Sequence, residues 1–152
     1  MKEKTEKRVS AIKDGSVIDH IPAKTLFKVV SILALETIET PITVGTNLKS
    51  NKLGSKGIIK ISDKFFKEEE INKIALIAPE ARLNIIRNYE VVEKKVLVVP
   101  DKIEGIAKCF NPKCITNVEN VMTRFSVISK DKVALKCRYC EKITSREHLV
   151  II

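Results

Sequence analysis

Residues 109–140 read CFNPKCITNVENVMTRFSVISKDKVALKCRYC and hold all four cysteines of the 152-residue chain. Cys109 and Cys114 are spaced C-x4-C, Cys137 and Cys140 are spaced C-x2-C, and 22 residues lie between the pairs. A soft divalent metal takes four thiolates at the corners of a tetrahedron, and two close pairs carried on β-turns supply them. Two disulfides are the rival reading. Against them, a C-x2-C pair makes a poor structural disulfide and nothing else in the chain looks exported. No histidine or carboxylate stands in the pattern as a ligand beside an open position, so the spacing predicts one closed, structural Zn2+ site. An iron tetrathiolate would also fit four cysteines, although both of its pairs are normally C-x2-C.

Around this stretch the pattern is one of short strands: 121–130, 133–136 and 149–152. Some 50 residues bury little core, so the metal is expected to take its place. Pro100-Asp101 marks a boundary, which gives two domains, 1–100 and 101–152.

The first hundred residues have a different periodicity. After a charged tail, MKEKTEKR, come short extended runs on either side of Asp14-Gly15, the second being Val17–Ile21. Pro22 opens a helix over 23–35, in which Leu26, Val29, Val30 and Leu33 recur at i, i+3, i+4, i+7. Residues 41–48 and 57–62 read as strands, joined by a polar loop over 49–56. Glu68, Glu69 and Glu70 suit a helix N-terminus, Ile71, Ile74, Ala75 and Ile77 form its apolar face, and Pro79 stops it. Strands over 82–87 and 89–99 follow. The order β-α-β-β-α-β with one added strand predicts an α+β fold. It consists of a ferredoxin-like antiparallel sheet with two helices on one face, followed by a small all-β zinc-binding domain.

Net charge is +9, with 18 basic against 13 acidic residues before 101 and 10 against 6 after. So diffuse an excess favours anionic partners without choosing among nucleic acid, nucleotides and acidic protein surfaces. There is no apolar run of membrane-spanning length and no apolar segment behind the charged N-terminus, so the expected setting is the cytoplasm, away from membranes. No nucleophile–base pair, carboxylate pair or phosphate-binding loop motif is visible, so the chain reads as no enzyme. Asp19, His20, Lys60, Asn84 and Lys94 interrupt apolar strand runs. Each alone fits a solvent-facing strand position. Together they could line one pocket, with lysines for phosphate and Asp19 for ribose hydroxyls. Lys136, Arg138, Lys142 and Arg146 near the second cysteine pair keep open an alternative, a zinc-ribbon nucleic-acid binder. Aromatic residues for stacking are few there.

The segments AIKDGSVIDHIPA (11–23), ITVGTNL (42–48), IIKI (58–61), NYEVVEK (88–94), CFNPKC (109–114) and ALKCRYCEK (134–142) are specific in this order. Through nearly its whole length the chain resembles the regulatory chain of aspartate carbamoyltransferase. The resemblance implies a non-catalytic subunit of pyrimidine biosynthesis. Its N-terminal domain would bind CTP and ATP as allosteric effectors, and its zinc domain would dock on catalytic chains. Regulatory homodimers would tie catalytic trimers together, and nucleic acid would be no partner. Matched residue by residue, the family's nucleotide pocket falls on Ala11, Ile12, Val17, Asp19, His20, Lys60, Asn84, Ile86, Tyr89, Val91 and Lys94. The resemblance assigns base reading to Ile12 and Tyr89, ribose and base to Asp19 and Lys60, and phosphate to Lys94 and His20. Asn111 and Glu141 match positions that contact the catalytic chain, while Lys113 departs from an Asn often found there.

Overall fold

The computed structural model describes residues 12–152. Ala11 and the first extended run, except Ile12 at its end, therefore lie outside the described residues, and Ile12 belongs to no strand. The chain forms two antiparallel sheets.

The first sheet has five strands: β1 Gly15–Pro22, β2 Ile42–Ser50, β3 Gly54–Ser62, β4 Arg82–Arg87 and β5 Glu90–Val96. Their spatial order is β2-β3-β1-β4-β5, and every pairing is antiparallel. That is the expected ferredoxin-like arrangement, with β5 added at one edge. Two helices, α1 Leu26–Ile32 and α2 Glu68–Ile77, pack on each other. Leu26 and Val29 of α1 and Ile74, Ala75 and Leu76 of α2 are fully buried, as are Ile18, Ile59, Ile61 and Leu83 from the sheet. All of them belong to one hydrophobic cluster. Alternation along the strands leaves the residues between them on the opposite, helix-free face. Val17 and Ile86 point that way; they are buried but stand outside the cluster.

The local chemistry explains the elements. Glu68, Glu69 and Glu70 fill the first turn of α2, and Glu70 Oε1 accepts the Lys67 backbone N–H at 3.1 Å, satisfying one orphan donor. Gly15 opens β1 at φ +148°, and a Cβ there would stand 2.1 Å from the Ile61 carbonyl oxygen. Only glycine fits this crossing. Asn88 and Tyr89 both have positive φ, 54° and 66°, the geometry of a tight turn joining β4 to β5.

Several boundaries differ from the sequence reading. The first helix stops at Ile32 instead of 35, because Ala34 turns left-handed (φ 49°) and lets Leu35 fold back into the core. The polar stretch 49–56 is no open loop: β2 and β3 run through it as a hairpin that turns at residues 51–53. Lysines and a serine are tolerated because this end of the hairpin is solvated.

The second sheet has the order β6-β7-β8-β9: Lys102–Glu104, Arg124–Ser129, Ala134–Cys137 and Ile143–Thr144. The short strands β6 and β9 escaped the sequence reading. The expected strand over 149–152 is a single bridge, Ala107 to Ile151. Phe125, Leu135 and Ile103 are fully buried beneath the cysteines, and the hydrophobic cluster is continuous with that of the first sheet. Arg146 clamps the two halves. Its guanidinium donates to Glu80 Oε1 at 2.7 Å, to Glu80 Oε2 at 3.1 Å, and to the Ile77 carbonyl at 3.0 Å. No helix among the described residues is long and apolar enough to cross a membrane.

Candidate metal centre and anion-binding face

The four cysteine sulfurs lie within 4.8 Å of one another. Cys109 and Cys140 Sγ are 3.7 Å apart, as are Cys114 and Cys137. A tetrahedron of thiolates on a zinc-sized ion, with metal–sulfur bonds of about 2.3 Å, has edges of about 3.8 Å, so the set fits such an ion. The pairs come from different places: the first brackets the turn before the short helix α3 Ile115–Val118, and the second spans the end of β8 and the turn after it. Donors surround the sulfurs. Thr116 Oγ1 donates to Cys114 Sγ at 3.2 Å and the Tyr139 N–H to Cys137 Sγ at 3.4 Å. Such bonds steady a thiolate and spread its charge. Burial first, and then the neighbouring Cys140, Cys137 and Cys114, push the Cys109 thiol up to about 12, against the pull of the Asn111 backbone N–H. Cys140, nearer the surface, is also pushed up by burial, but the Lys142 backbone N–H and the Asn111 side chain outweigh this and bring it to about 7. A cation is what lets all four be thiolates together.

Asn111 and Glu141 flank this cluster. Asn111 Oδ1 accepts the Lys113 N–H at 3.1 Å, and Asn117 Nδ2 donates to the Cys109 and Asn111 carbonyls, both at 2.8 Å. Glu141 is exposed, at φ 64°, with its N–H on the Cys137 carbonyl at 3.0 Å. In the same stretch of chain Phe110, Ile115, Val118, Met122, Tyr139 and Ile143 each expose apolar surface.

The second set lies on the helix-free face of the first sheet. Strand register places Lys60, Val17, Asn84 and Lys94 in one transverse row across β3, β1, β4 and β5. With strands about 4.8 Å apart, the row spans about 14 Å. On one side of it a recess of about 250 Å³ is lined by Ile12, Val17, Ile58, Lys60, Asn84, Ile86, Tyr89 and Val91. The Tyr89 N–H donates to the Lys13 carbonyl at 2.9 Å and so ties the segment around Ile12 to the β4–β5 turn. On the other side lies the row Asp19, Arg82, Val96. Asp19 Oδ1 receives Lys56 Nζ at 2.9 Å and the His20 N–H at 2.7 Å. His20 sits at a bulge in β1 with φ 58°, a costly conformation for a residue with a Cβ. Its buried Nδ1 has no hydrogen-bond partner among the described residues. Asp19 Oδ2 stands 3.5 Å away, close enough for an ion pair only when the imidazole is charged. His20 also lines a basic recess of about 470 Å³ with Lys49, Ser50, Asn51, Lys52 and Lys56.

The residues singled out from the sequence thus share one face, apart from Ala11, which is outside the described residues. They form an apolar end (Ile12, Val17, Ile86, Tyr89, Val91) and a charged end (Asp19, His20), with Lys60, Asn84 and Lys94 in the row between. Lys56 joins them although its polar stretch of sequence reads as loop, because β3 runs through it. Arg82 was missed although its period-two spacing from Asn84 and Ile86 puts it on the same face.

The family model described as "Aspartate carbamoyltransferase regulatory chain, allosteric domain" matches residues 7–98, and the one described as "Aspartate carbamoyltransferase regulatory chain, metal binding domain" matches residues 101–150. Proteins named aspartate carbamoyltransferase regulatory chain are similar along nearly the whole length. The one from Bacteroides fragilis is 59% identical over 145 residues, covering 95% of either chain. That from Parabacteroides distasonis is 55% identical, covering 98% of this chain and 97% of its own. A relative from Pyrococcus horikoshii is 52% identical, covering 95% of this chain and 97% of its own. These proteins are named as regulatory chains rather than catalytic ones, and they favour that reading over a nucleic-acid-binding zinc ribbon. The four-cysteine cluster falls inside the segment matched by the metal-binding domain. The chain belongs to the family of aspartate carbamoyltransferase regulatory chains.

Proposed function

We propose that this chain senses nucleotides on the helix-free face of its first sheet and relays their binding, through its metal domain, to the catalytic chains of aspartate carbamoyltransferase in the cytoplasm. The observation that carries the reading is the row Lys60–Val17–Asn84–Lys94, with an apolar recess on one side and a cationic end on the other. A base fits the recess beside Ile12, Val17, Ile86, Tyr89 and Val91, where main-chain groups and Lys60 discriminate it. Asn84 and Asp19 face the sugar. Lys94 and His20 meet the phosphates, favouring anionic ligands without choosing a base. CTP and ATP are the effectors, competing for one site per chain.

The metal is Zn2+, held by Cys109, Cys114, Cys137 and Cys140. It supplies stability, and with no open ligand position it does no chemistry. The exposed apolar side chains of the segment that carries Asn111 and Glu141 suit docking on a catalytic trimer. Regulatory homodimers then link two trimers. An effector that prefers one form of that assembly shifts the population by its difference in affinity and by no more, commonly about 1–3 kcal/mol.

Calorimetric titration of the zinc-loaded chain with CTP and ATP tests the reading. Competitive binding at one site per chain is expected. No binding of either nucleotide would leave an assembly scaffold in place of a sensor.

A further inference from the structure

The row beyond Asn84 holds a cation that no role above accounts for. Arg82 opens β4 on the same face as Asn84 and Ile86, directly between Asp19 on β1 and Val96 on β5. It is half-buried. A separate recess of about 280 Å³ is lined by His20, Lys52, Glu80 and Arg82 together with the apolar Leu53 and Val96. It meets the basic recess at His20 and Lys52, which line both.

The acids nearby are already engaged. Asp19 takes Lys56 and the His20 N–H. Glu80 takes both guanidinium nitrogens of Arg146, and Lys24 adds to its positive surroundings. The Arg82 side chain makes no hydrogen bond or ion pair among the described residues, its backbone being held in the strand ladder. A half-buried guanidinium facing a recess, with its neighbouring carboxylates taken, favours a ligand that brings its own negative charge.

Resting on the nucleotide-sensing reading, we propose that Arg82 is a specificity-determining residue of that site. It binds the outer phosphates of a nucleoside triphosphate in the recess beyond His20, and so sets the preference for triphosphates over monophosphates. A ligand whose base sits near Tyr89 and whose sugar sits at Asn84 reaches the row of Arg82 with its polyphosphate end. A monophosphate stops at Lys94 and His20. Arginine suits this place because its planar fork takes two phosphate oxygens at once.

The test is calorimetric titration of the zinc-loaded full chain and its Arg82→Gln and Arg82→Lys variants with CTP, CMP and inorganic tripolyphosphate. Circular dichroism and zinc content check that each variant folds. Arg82→Gln is expected to weaken CTP and tripolyphosphate by about tenfold, the loss of one charge-assisted contact, and to leave CMP within about twofold. Arg82→Lys should restore part of the loss. If the wild type binds CTP and Arg82→Gln changes CTP and CMP equally, or changes neither, the assignment of Arg82 is wrong while the sensing site stands. If the wild type binds no nucleotide, the sensing site falls and takes this assignment with it.

Discussion

Replacing Arg146 by alanine removes a guanidinium that clamps the metal domain to the C-terminal end of α2. It takes away two bonds to Glu80, at 2.7 and 3.1 Å, and one to the Ile77 carbonyl at 3.0 Å. Charge-assisted hydrogen bonds contribute about 1.5–3 kcal/mol when well shielded, and exposed ion pairs about 0–1 kcal/mol. The Arg146 side chain is 28% exposed and that of Glu80 33%, so the clamp falls between these limits, at about 1–2 kcal/mol. The orphaned Glu80 can rehydrate and keeps Lys24 nearby, so no large buried-charge penalty adds to this. The assay is a double-mutant cycle of Arg146→Ala and Glu80→Gln, read by urea unfolding of the zinc-loaded chain. A coupling of about 1 kcal/mol is expected at neutral pH, weakening with added salt. Burial tends to raise the Glu80 carboxyl, but the Arg146 hydrogen bond, its own backbone N–H and the charges of Arg146 and Lys24 outweigh this and hold it below its ordinary value. A depressed carboxyl contributes stability above its unfolded-state pKa and loses it as the pH falls through the folded one. The coupling should therefore vanish under acid conditions and persist at neutral pH. Strict additivity of the two substitutions at pH 7 would refute the idea that this pair holds the halves together.

Lys94→Ala should weaken CTP and ATP to a similar degree, since both share the triphosphate; unchanged CTP affinity would sink the assignment of Lys94. Chelating the metal should unfold residues 101–152, seen as loss of hydrogen-exchange protection in β7 and β8 with the first sheet still protected. A chelated chain that still assembled with catalytic trimers would show that the metal domain is not the docking element. Gly15→Ala should destabilise by several kcal/mol, about 3 or more, because its Cβ meets the Ile61 carbonyl oxygen at 2.1 Å under a positive φ; a normal melting temperature would contradict that crossing.

The parts legible in the sequence were those in which local chemistry and tertiary structure agree. The acidic first turn and Pro79 bounded α2, and the cysteine spacing announced the cluster. Lys60, Asn84 and Lys94 stood out as polar breaks in apolar strands, and register brings them into one row. The parts that did not show are those decided by long-range pairing. Lys49 and Lys56 looked like loop residues because nothing local reveals that the 42–62 hairpin continues past its apolar stretch. The left-handed turn at Ala34 has no glycine to announce it; it is imposed by burial of Leu35. Strands of two or three residues such as β6 and β9 carry no periodicity at all. The clamp between Arg146 and Glu80 joins residues 66 apart and has no signature in either neighbourhood.

The most direct test of the transducer reading is the aspartate saturation of catalytic trimers, measured with and without the zinc-loaded chain and with CTP or ATP added. Nucleotides should move the half-saturation point only when the chain is present, and Lys94→Ala should push that shift to higher nucleotide concentrations while leaving assembly intact. An assembled complex that ignores both nucleotides, or trimers that respond to them alone, would contradict it.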